Sequence, residues 1–172
     1  MVGGKTKVLL QDIDLIKWKQ DLEFDLQILK NLYDDIEEIT VDRDAKLDKL
    51  KLLIQEKFNN PINPDNKKVI VFTAFADTAN YLHRNLEDWL MQQHGVYSSL
   101  ITGSGTNKTN LPKCKTDLSS LLINFSPKSK KRDQVFPDQT SEIDVMICTD
   151  CISEGQNLQD CDFLINYDIH WN

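Results

Sequence analysis

The stretch from Ile143 to Asn172 decides the fold, and it reads IDVMICTDCISEGQNLQDCDFLINYDIHWN. It contains two short apolar runs, Val145–Cys148 and Phe163–Ile165, and each is followed by a polar turn. Short apolar runs that end in turns are typical of buried parallel strands. Between the runs lies the loop Thr149–Gln159, which carries small and hydrogen-bonding side chains around Gly155. Ligands of open α/β sheets bind beyond the carboxyl ends of the strands, so this loop is predicted to contact phosphate, ribose or nucleic acid.

The sequence upstream alternates between strand and helix patterns from Lys68 onward. This alternation predicts an α/β layer with a mainly parallel sheet. A glycine, Gly95, is expected to end the first helix of this part. The predicted elements are strands at Val69–Thr73, Val96–Thr102, Asp144–Cys148 and Asp162–Tyr167, and helices at Ala76–Gln93 and around Leu118–Phe125, with a long polar loop at Ser126–Ser141.

Residues 8–39 have the period of an amphipathic helix. Apolar residues recur every seven positions, at Leu15, Leu22, Leu29 and Ile36, and the other face is charged. Such a stripe has to bury itself on a partner. The following helix, the globular lobe and a second copy of the chain all remain open as that partner. Coiled-coil self-association is weakened by Asp25, which lies on the seam.

The clearest boundary is the turn NNPINPDN at Asn59–Asn66, which contains two prolines. A second helix precedes it, marked by apolar residues three and four positions apart at Leu47, Leu50 and Ile54. The sequence therefore predicts an N-terminal helical segment over 1–58 with two amphipathic helices, a linker over 59–67, and an α/β lobe over 68–172.

Composition bounds the class of protein. The chain has 172 residues, of which 40% are hydrophobic and 27% charged, as expected for one globular domain with an appendage. No apolar run is long enough for a membrane helix, and the first residues lack a signal peptide's apolar core, which indicates a cytoplasmic protein. Cys148 and Cys151 have a CxxC spacing, but a zinc site usually needs further ligands, so buried free thiols are expected.

Charge is divided unevenly along the chain. The formal net charge is −7, yet residues 107–132 carry seven basic residues and one acidic residue. Residues 133–172 carry nine acidic residues and no lysine or arginine. The basic part includes a cluster after Pro127, and such a run is either a solvated loop or a contact to nucleic-acid phosphates. The cluster comprises Lys128, Lys130, Lys131 and Arg132.

Two stretches carry a family resemblance. TDCISEGQNLQ at 149–159, followed by LINYDIHWN, resembles motif V and the next strand in the second RecA-like lobe of superfamily-two helicases. The branch that it is most similar to is the bacterial Swi/Snf-related group of ATP-dependent DNA helicases and translocases. VIVFTAF at 69–75 resembles motif IV of the same lobe. The resemblance covers 68–172 with a gap in the middle, and it implies a RecA-like, P-loop NTPase-type fold.

The resemblance also implies site residues. Gly155, Asn157 and Gln159 would contact the ATP ribose or phosphates at the interface between lobes. Asp168 resembles the acidic residue that leads into motif VI, with a helix cap or a loop salt bridge as its alternative, and the role of Glu154 stays open. The residues expected to contact the nucleic-acid backbone are Thr73, Ala74, Thr102, Gly103, Thr149 and Ser153.

Other parts of such an enzyme are absent from the sequence. The first lobe's phosphate loop and the arginine-rich helix of motif VI are missing, so the resemblance implies a piece of a larger enzyme, incomplete at its C-terminus. ATP and Mg²⁺ would serve the whole enzyme and would bind this piece only weakly. The implied partners are double-stranded DNA and the first RecA-like lobe. One alternative is a non-catalytic nucleic-acid-binding or assembly module; a Rossmann-like small-molecule domain is disfavoured, because no GxGxxG turn follows the first strand.

Overall fold

The structure, a computed structural model, describes residues 1, 3–9, 11, 13–103, 107–152 and 156–168. Within these residues the strands are β1 (Val69–Phe72), β2 (Tyr97–Ile101), β3 (Lys108–Thr109), β4 (Ile143–Cys148) and β5 (Leu164–Asn166). They form one sheet in the order β3-β2-β4-β1-β5. The pairs β2–β4, β4–β1 and β1–β5 are parallel, and β3 alone of these strands runs antiparallel, beside β2. The predicted mainly parallel sheet is confirmed, whereas the two-residue strand β3 is too short to show a period and was not predicted.

Helices from the part of the chain after residue 44 cover both faces of this sheet. The helices are α1 (Leu15–Glu37), α2 (Ala45–Asn59), α3 (Ala76–His94), α4 (Leu118–Phe125) and α5 (Arg132–Val135). Apolar side chains of α2 and α3 pack on one face, against Val71 and Val145. Those of α4 pack on the other face, against Ile70 and Met146. Because successive residues of β1 face opposite layers and both layers are covered, the strand reads as a continuous apolar run.

The helix ends follow local chemistry. Gly95 ends α3 in the left-handed region, with φ of 63°, and its N–H donates to the Met91 carbonyl over 3.0 Å. Glycine adopts this conformation without steric cost, so the predicted helix end is confirmed. Asp117 caps the N-terminus of α4, where its carboxylate accepts a hydrogen bond of 2.9 Å from the Ser120 N–H.

The chain divides into two units, Met1–Asp44 and Ala45–Asn172. The helix α2 was predicted to belong to the N-terminal segment 1–58, whereas its contacts group it with the second unit. The physical reason is burial, since Leu47, Leu50 and Ile54 join the core beneath the sheet. In the first unit, Asp14 caps the N-terminus of α1, because its carboxylate accepts the Lys17 N–H over 3.0 Å. None of the described side chains of α1 is buried.

Two lysines are buried near the amino ends of the strands. The side chain of Lys57 is 1% exposed, and its Nζ lies 2.6 Å from Oδ1 of Asp162. The side chain of Lys68 is also buried, and its Nζ donates to the Ile143 carbonyl over 2.6 Å and lies 3.3 Å from both Glu142 and Asp144. Each ammonium group therefore has a carboxylate partner, which a buried charge requires.

The cysteines differ in their surroundings. Cys148 is buried in β4, and burial raises the pKa of its thiol. Cys151 is exposed, unlike the buried thiol that the sequence analysis expected. In the described ranges, no three histidine, cysteine or acidic side chains are placed to hold a metal ion. None of the helices described is long and apolar enough to cross a membrane.

Candidate nucleic-acid and nucleotide site

The carboxyl ends of the parallel strands meet at one edge of the sheet. Thr73 follows β1, Thr102 follows β2, Thr149 follows β4 and Asp168 lies just after β5. The ladder continues into these turns, because the Thr73 N–H donates to the Cys148 carbonyl over 3.0 Å and the Thr149 N–H donates to the Ile101 carbonyl over 3.2 Å. We call this edge, with residues 73–75, 102–103, 149 and 168, the carboxyl edge. It brings together five of the sequence-predicted contact residues: Thr73, Ala74, Thr102, Gly103 and Thr149.

The threonines at this edge are buried. Thr73, Thr102 and Thr149 lie among the buried polar residues, whereas Gly103 is exposed and Ala74 is half-buried. The Thr149 hydroxyl is within 3.3 Å of the Cys151 sulfur. The threonine side chains at this edge are therefore mostly covered. The backbone N–H groups are also hydrogen-bonded within the protein at Thr73, Ala74, Thr102 and Thr149. Gly103 is thus the exposed residue among the five.

Asp168 holds the end of β5 against the turn after β1. Its carboxylate accepts hydrogen bonds from the Thr73 hydroxyl and, over 3.2 Å, from the Ala74 N–H. The Lys46 ammonium group lies 3.1 Å from the other carboxylate oxygen. Burial on its own would raise the pKa of Asp168, but the hydrogen bonds from Thr73 and Lys46 outweigh it and lower that pKa below its ordinary value. The carboxylate thus stays charged. It accepts hydrogen bonds from the Thr73 hydroxyl and the Ala74 N–H, two groups of residues that were predicted to contact nucleic acid.

Lys46 is a contact that sequence reasoning missed. It lies at the start of α2, 122 residues before Asp168, and its ammonium group also sits 3.9 Å from the centre of the Tyr167 ring. No local pattern links positions so far apart. Only the fold, which places the first turn of α2 beside the residues that follow β5, brings the pair together.

Gly103 marks a close approach between two turns. A Cβ added at this position would lie 3.2 Å from the Cβ of Cys151, which is tighter than most contacts in folded proteins. The turn after β2 and the turn after β4 are therefore nearly in van der Waals contact through the glycine. This is the physical reason for glycine here.

The structure describes two of the three residues that were predicted to contact nucleotide. Asn157 and Gln159 line an open cavity of about 820 Å³ together with Gln156, while Gly155 and Ser153 lie outside the described residues. The floor of this cavity is apolar and includes Ile70 and Phe72 of β1. The amide groups of Gln156, Asn157 and Gln159 can each donate and accept hydrogen bonds, as a hydroxylated ligand requires. Of the described lining residues, none is a lysine or arginine, so they do not by themselves fit a magnesium triphosphate.

The basic cluster lies at the opposite edge of the sheet. The Arg132 guanidinium donates to the Ser141 carbonyl over 2.9 Å and lies 3.7 Å from Glu142, directly before β4. The Lys128 N–H donates over 2.7 Å to Asp160, which precedes β5. The sequence left Lys128, Lys130, Lys131 and Arg132 as either a solvated loop or a contact to nucleic-acid phosphates, and the structure places this cluster away from the carboxyl edge. The chain returns to the amino ends of the strands before β4 begins, so the cluster and the carboxyl edge are separated by the strand length.

A mainly parallel sheet between helical layers, with polar turns at its carboxyl edge, defines a RecA-like α/β lobe. The chain belongs to the family of the helicase conserved C-terminal domain, whose model matches residues 45–172. The start of this match coincides with the start of the second unit. The chain is also similar to a Bacillus subtilis (strain 168) protein described as "Uncharacterized ATP-dependent helicase YqhH", with 31% identity over 105 residues. The matched part is 61% of this chain and 14% of that relative.

Proposed function

We propose that the chain is the second RecA-like lobe of an ATP-dependent DNA helicase or translocase of the Swi/Snf-related group. The observation that carries the proposal is the carboxyl edge, where turns from four parallel strands are aligned. Its motif V and motif IV sequences and its membership of the helicase C-terminal family support the same function. In the whole enzyme, this lobe supplies half of the nucleotide cleft and half of the nucleic-acid track.

The track on this lobe is the carboxyl edge rather than the basic cluster. Ala74 and Gly103 are accessible there, and a phosphate can approach the backbone at Gly103 because no side chain intervenes. Arg132, in contrast, already interacts with Glu142 and the Ser141 carbonyl. The cluster at 128–132 is therefore a folded and partly solvated loop on a separate surface.

The nucleotide cleft requires a second lobe. The cavity beside Asn157 and Gln159 offers amide groups to a ribose, but its described lining has no cation for the phosphates. Phosphoryl transfer needs such cations together with a bound magnesium ion. The first RecA-like lobe is accordingly the partner that supplies the phosphate loop, and this chain alone is expected to bind ATP weakly.

A charge at Gly103 tests the position of the track. Gly103→Asp is expected to weaken binding of a fluorescent duplex DNA about fivefold relative to Gly103→Asn, because one added charge near a phosphate costs about 1 kcal/mol in water. The asparagine variant has the same shape and controls for the contact with Cys151. Anisotropy titrations at low salt measure both, and the same preparations are expected to show no DNA-stimulated ATP hydrolysis.

Changes in the basic cluster are expected to have little effect on DNA binding. Neutralising Lys130→Gln and Lys131→Gln together is expected to change the affinity by less than about twofold, since these residues lie at the other edge. A larger loss in this double variant than in Gly103→Asp would move the track to the amino ends of the strands. Robust DNA-stimulated turnover by the chain alone would contradict the assignment as one lobe of a two-lobe site.

A non-catalytic assembly module is the second candidate, and α1 is the observation that favours it. Its apolar stripe is exposed, with Leu15, Leu22 and Leu29 each more than half accessible to solvent. Lysines lie in its first turns, at Lys17 and Lys19, whereas its last turns are acidic. We propose that two copies of the chain associate through α1 in antiparallel orientation, because this brings lysines of one copy to the acidic end of the other.

Sedimentation velocity tests this association. The paired change Leu22→Glu and Leu29→Glu is expected to convert a dimer at micromolar concentration to a monomer, because it places charges in the apolar stripe. Gln20→Glu and Gln27→Glu add the same charge to the polar face and are expected to leave the dimer intact. A wild-type chain that sediments as a monomer would rule the association out.

A further inference from the structure

Phe75 is an exposed ring at the carboxyl edge. It follows Thr73 and Ala74 directly, at the end of β1, and 60% of its surface is accessible. Among the described residues of 45–168 it is the one aromatic side chain that is exposed. Scattered exposed apolar residues are common on proteins, so the position of this ring matters more than its exposure.

The fold gains little from a phenylalanine at this position. Phe75 is the N-cap residue of α3, with φ of −117° and ψ of 135°, a conformation in which serine, threonine or aspartate accepts hydrogen bonds from the helix. Two other helices of the chain use this device, at Asp14 and Asp117. The ring of Phe75 offers no acceptor, and the cap of α3 makes no side-chain hydrogen bond.

The neighbours of Phe75 are already engaged. The Thr73 hydroxyl and the Ala74 N–H both donate to Asp168, whose negative charge also repels a phosphate at this point. The group that the turn after β1 presents to a passing strand is therefore an aromatic face. Such faces stack on nucleobases, and they do so on bases that are not already stacked within a duplex.

We propose that Phe75 stacks on an unpaired base of the strand that lies along the carboxyl edge. The proposal rests on the nucleic-acid track described above and adds the state of its substrate, a strand with at least one base free of its partner. The backbone contact at Gly103 is then independent of the bases, whereas the contact at Phe75 requires a base.

The test uses the whole chain with two probes of equal length, a fluorescent oligothymidylate and an abasic deoxyribose-phosphate oligomer. Phe75→Ser is expected to weaken binding of the oligothymidylate roughly tenfold, since one stacked base contributes that much or more. Binding of the abasic oligomer is expected to stay unchanged. Phe75→Trp retains an aromatic face and is expected to bind oligothymidylate at least as tightly as wild type.

The same serine variant has a second readout that a structural role would not produce. Serine caps α3, so the Tm of Phe75→Ser is expected to rise by about 2–4 °C while its affinity falls. The control is Ile62→Ser, which removes a similarly exposed apolar side chain before β1 and is expected to leave the affinity unchanged.

The outcomes separate the two proposals. If wild type binds both probes and Phe75→Ser binds them equally well, the stacking is overturned and the track stands. If Phe75→Ser loses affinity for both probes alike, the ring does not read a base and the stacking is again overturned. If wild type binds the duplex of the Gly103 experiment but neither of these probes, the stacking is overturned and the track stands. If wild type binds none of the three, the track fails and the stacking fails with it.

Discussion

Replacing Asp162 with alanine is expected to lower the free energy of unfolding of the second unit by about 3–5 kcal/mol, because it leaves a buried ammonium group without its counter-ion. The Lys57 side chain is 1% exposed, and its Nζ lies 2.6 Å from the Asp162 carboxylate. The same carboxylate accepts the backbone N–H of Asn63 over 3.2 Å and its side-chain amide over 2.8 Å. Urea unfolding followed by far-UV circular dichroism measures the loss.

A matched control separates the unpaired charge from lost packing. The double variant Lys57→Met with Asp162→Leu removes both charges, and pairs replaced in this way are often neutral or even stabilising. It is therefore expected to recover most of the loss seen in Asp162→Ala. A single variant that loses less than about 1 kcal/mol would mean that Lys57 reaches water and that the pair behaves as a surface salt bridge.

Acidification from pH 7 to pH 4 is expected to cost roughly 3 kcal/mol of stability through His83 alone. Burial, and to a lesser extent the charge of Lys108, lowers the pKa of this imidazole from 6.5 to about 4. The side chain is 3% exposed, and in the described part of the chain its Nε2 has no hydrogen-bond partner. The unfolded chain takes up a proton below pH 6.5, whereas the folded chain does so only near pH 4, so stability falls between these values as the pH falls.

His83→Leu is the variant that isolates this effect. Urea midpoints at pH 7 and pH 4.5 are expected to differ less in the variant than in wild type, because the titrating group is gone. Asp144 and Glu87 have raised pKa values, chiefly through burial, and act in the opposite direction near pH 4 to 5, but they are present in both proteins. Equal pH dependence of the two proteins would contradict a buried neutral imidazole.

Local patterns predicted the parts of the fold that local chemistry controls. The helix α3 and its end at Gly95 follow from apolar spacing and from one glycine, and β1 and β4 follow from short apolar runs bounded by turns. The assignment of α2 to the second unit could not be predicted in this way. Its stripe of Leu47, Leu50 and Ile54 shows that the helix is buried on one face, but not which surface covers it.

In the candidate site, too, some features could be predicted from local patterns and others could not. Parallel strands place their following residues at one edge, so the proximity of Thr73, Gly103 and Thr149 followed from the predicted topology. The burial of the threonines and the contact between Lys46 and Asp168 depend on side chains that are distant in sequence. The position of the basic cluster could also have been predicted from the topology, because a loop that precedes a parallel strand lies at the amino end of that strand.

The strand order also has a consequence for synthesis. The strand β1 lies between β4 and β5, and its first register pair with β4 joins Val69 to Val145. A ribosome adds about 5–20 residues per second, so roughly 4 to 15 s pass between the emergence of these two partners. During that interval α3 and β2 are synthesised, but the apolar run at 69–72 still has both edges unpaired. We expect this lobe to rely on chaperones at that stage more than a fold in which neighbouring strands are consecutive in the chain.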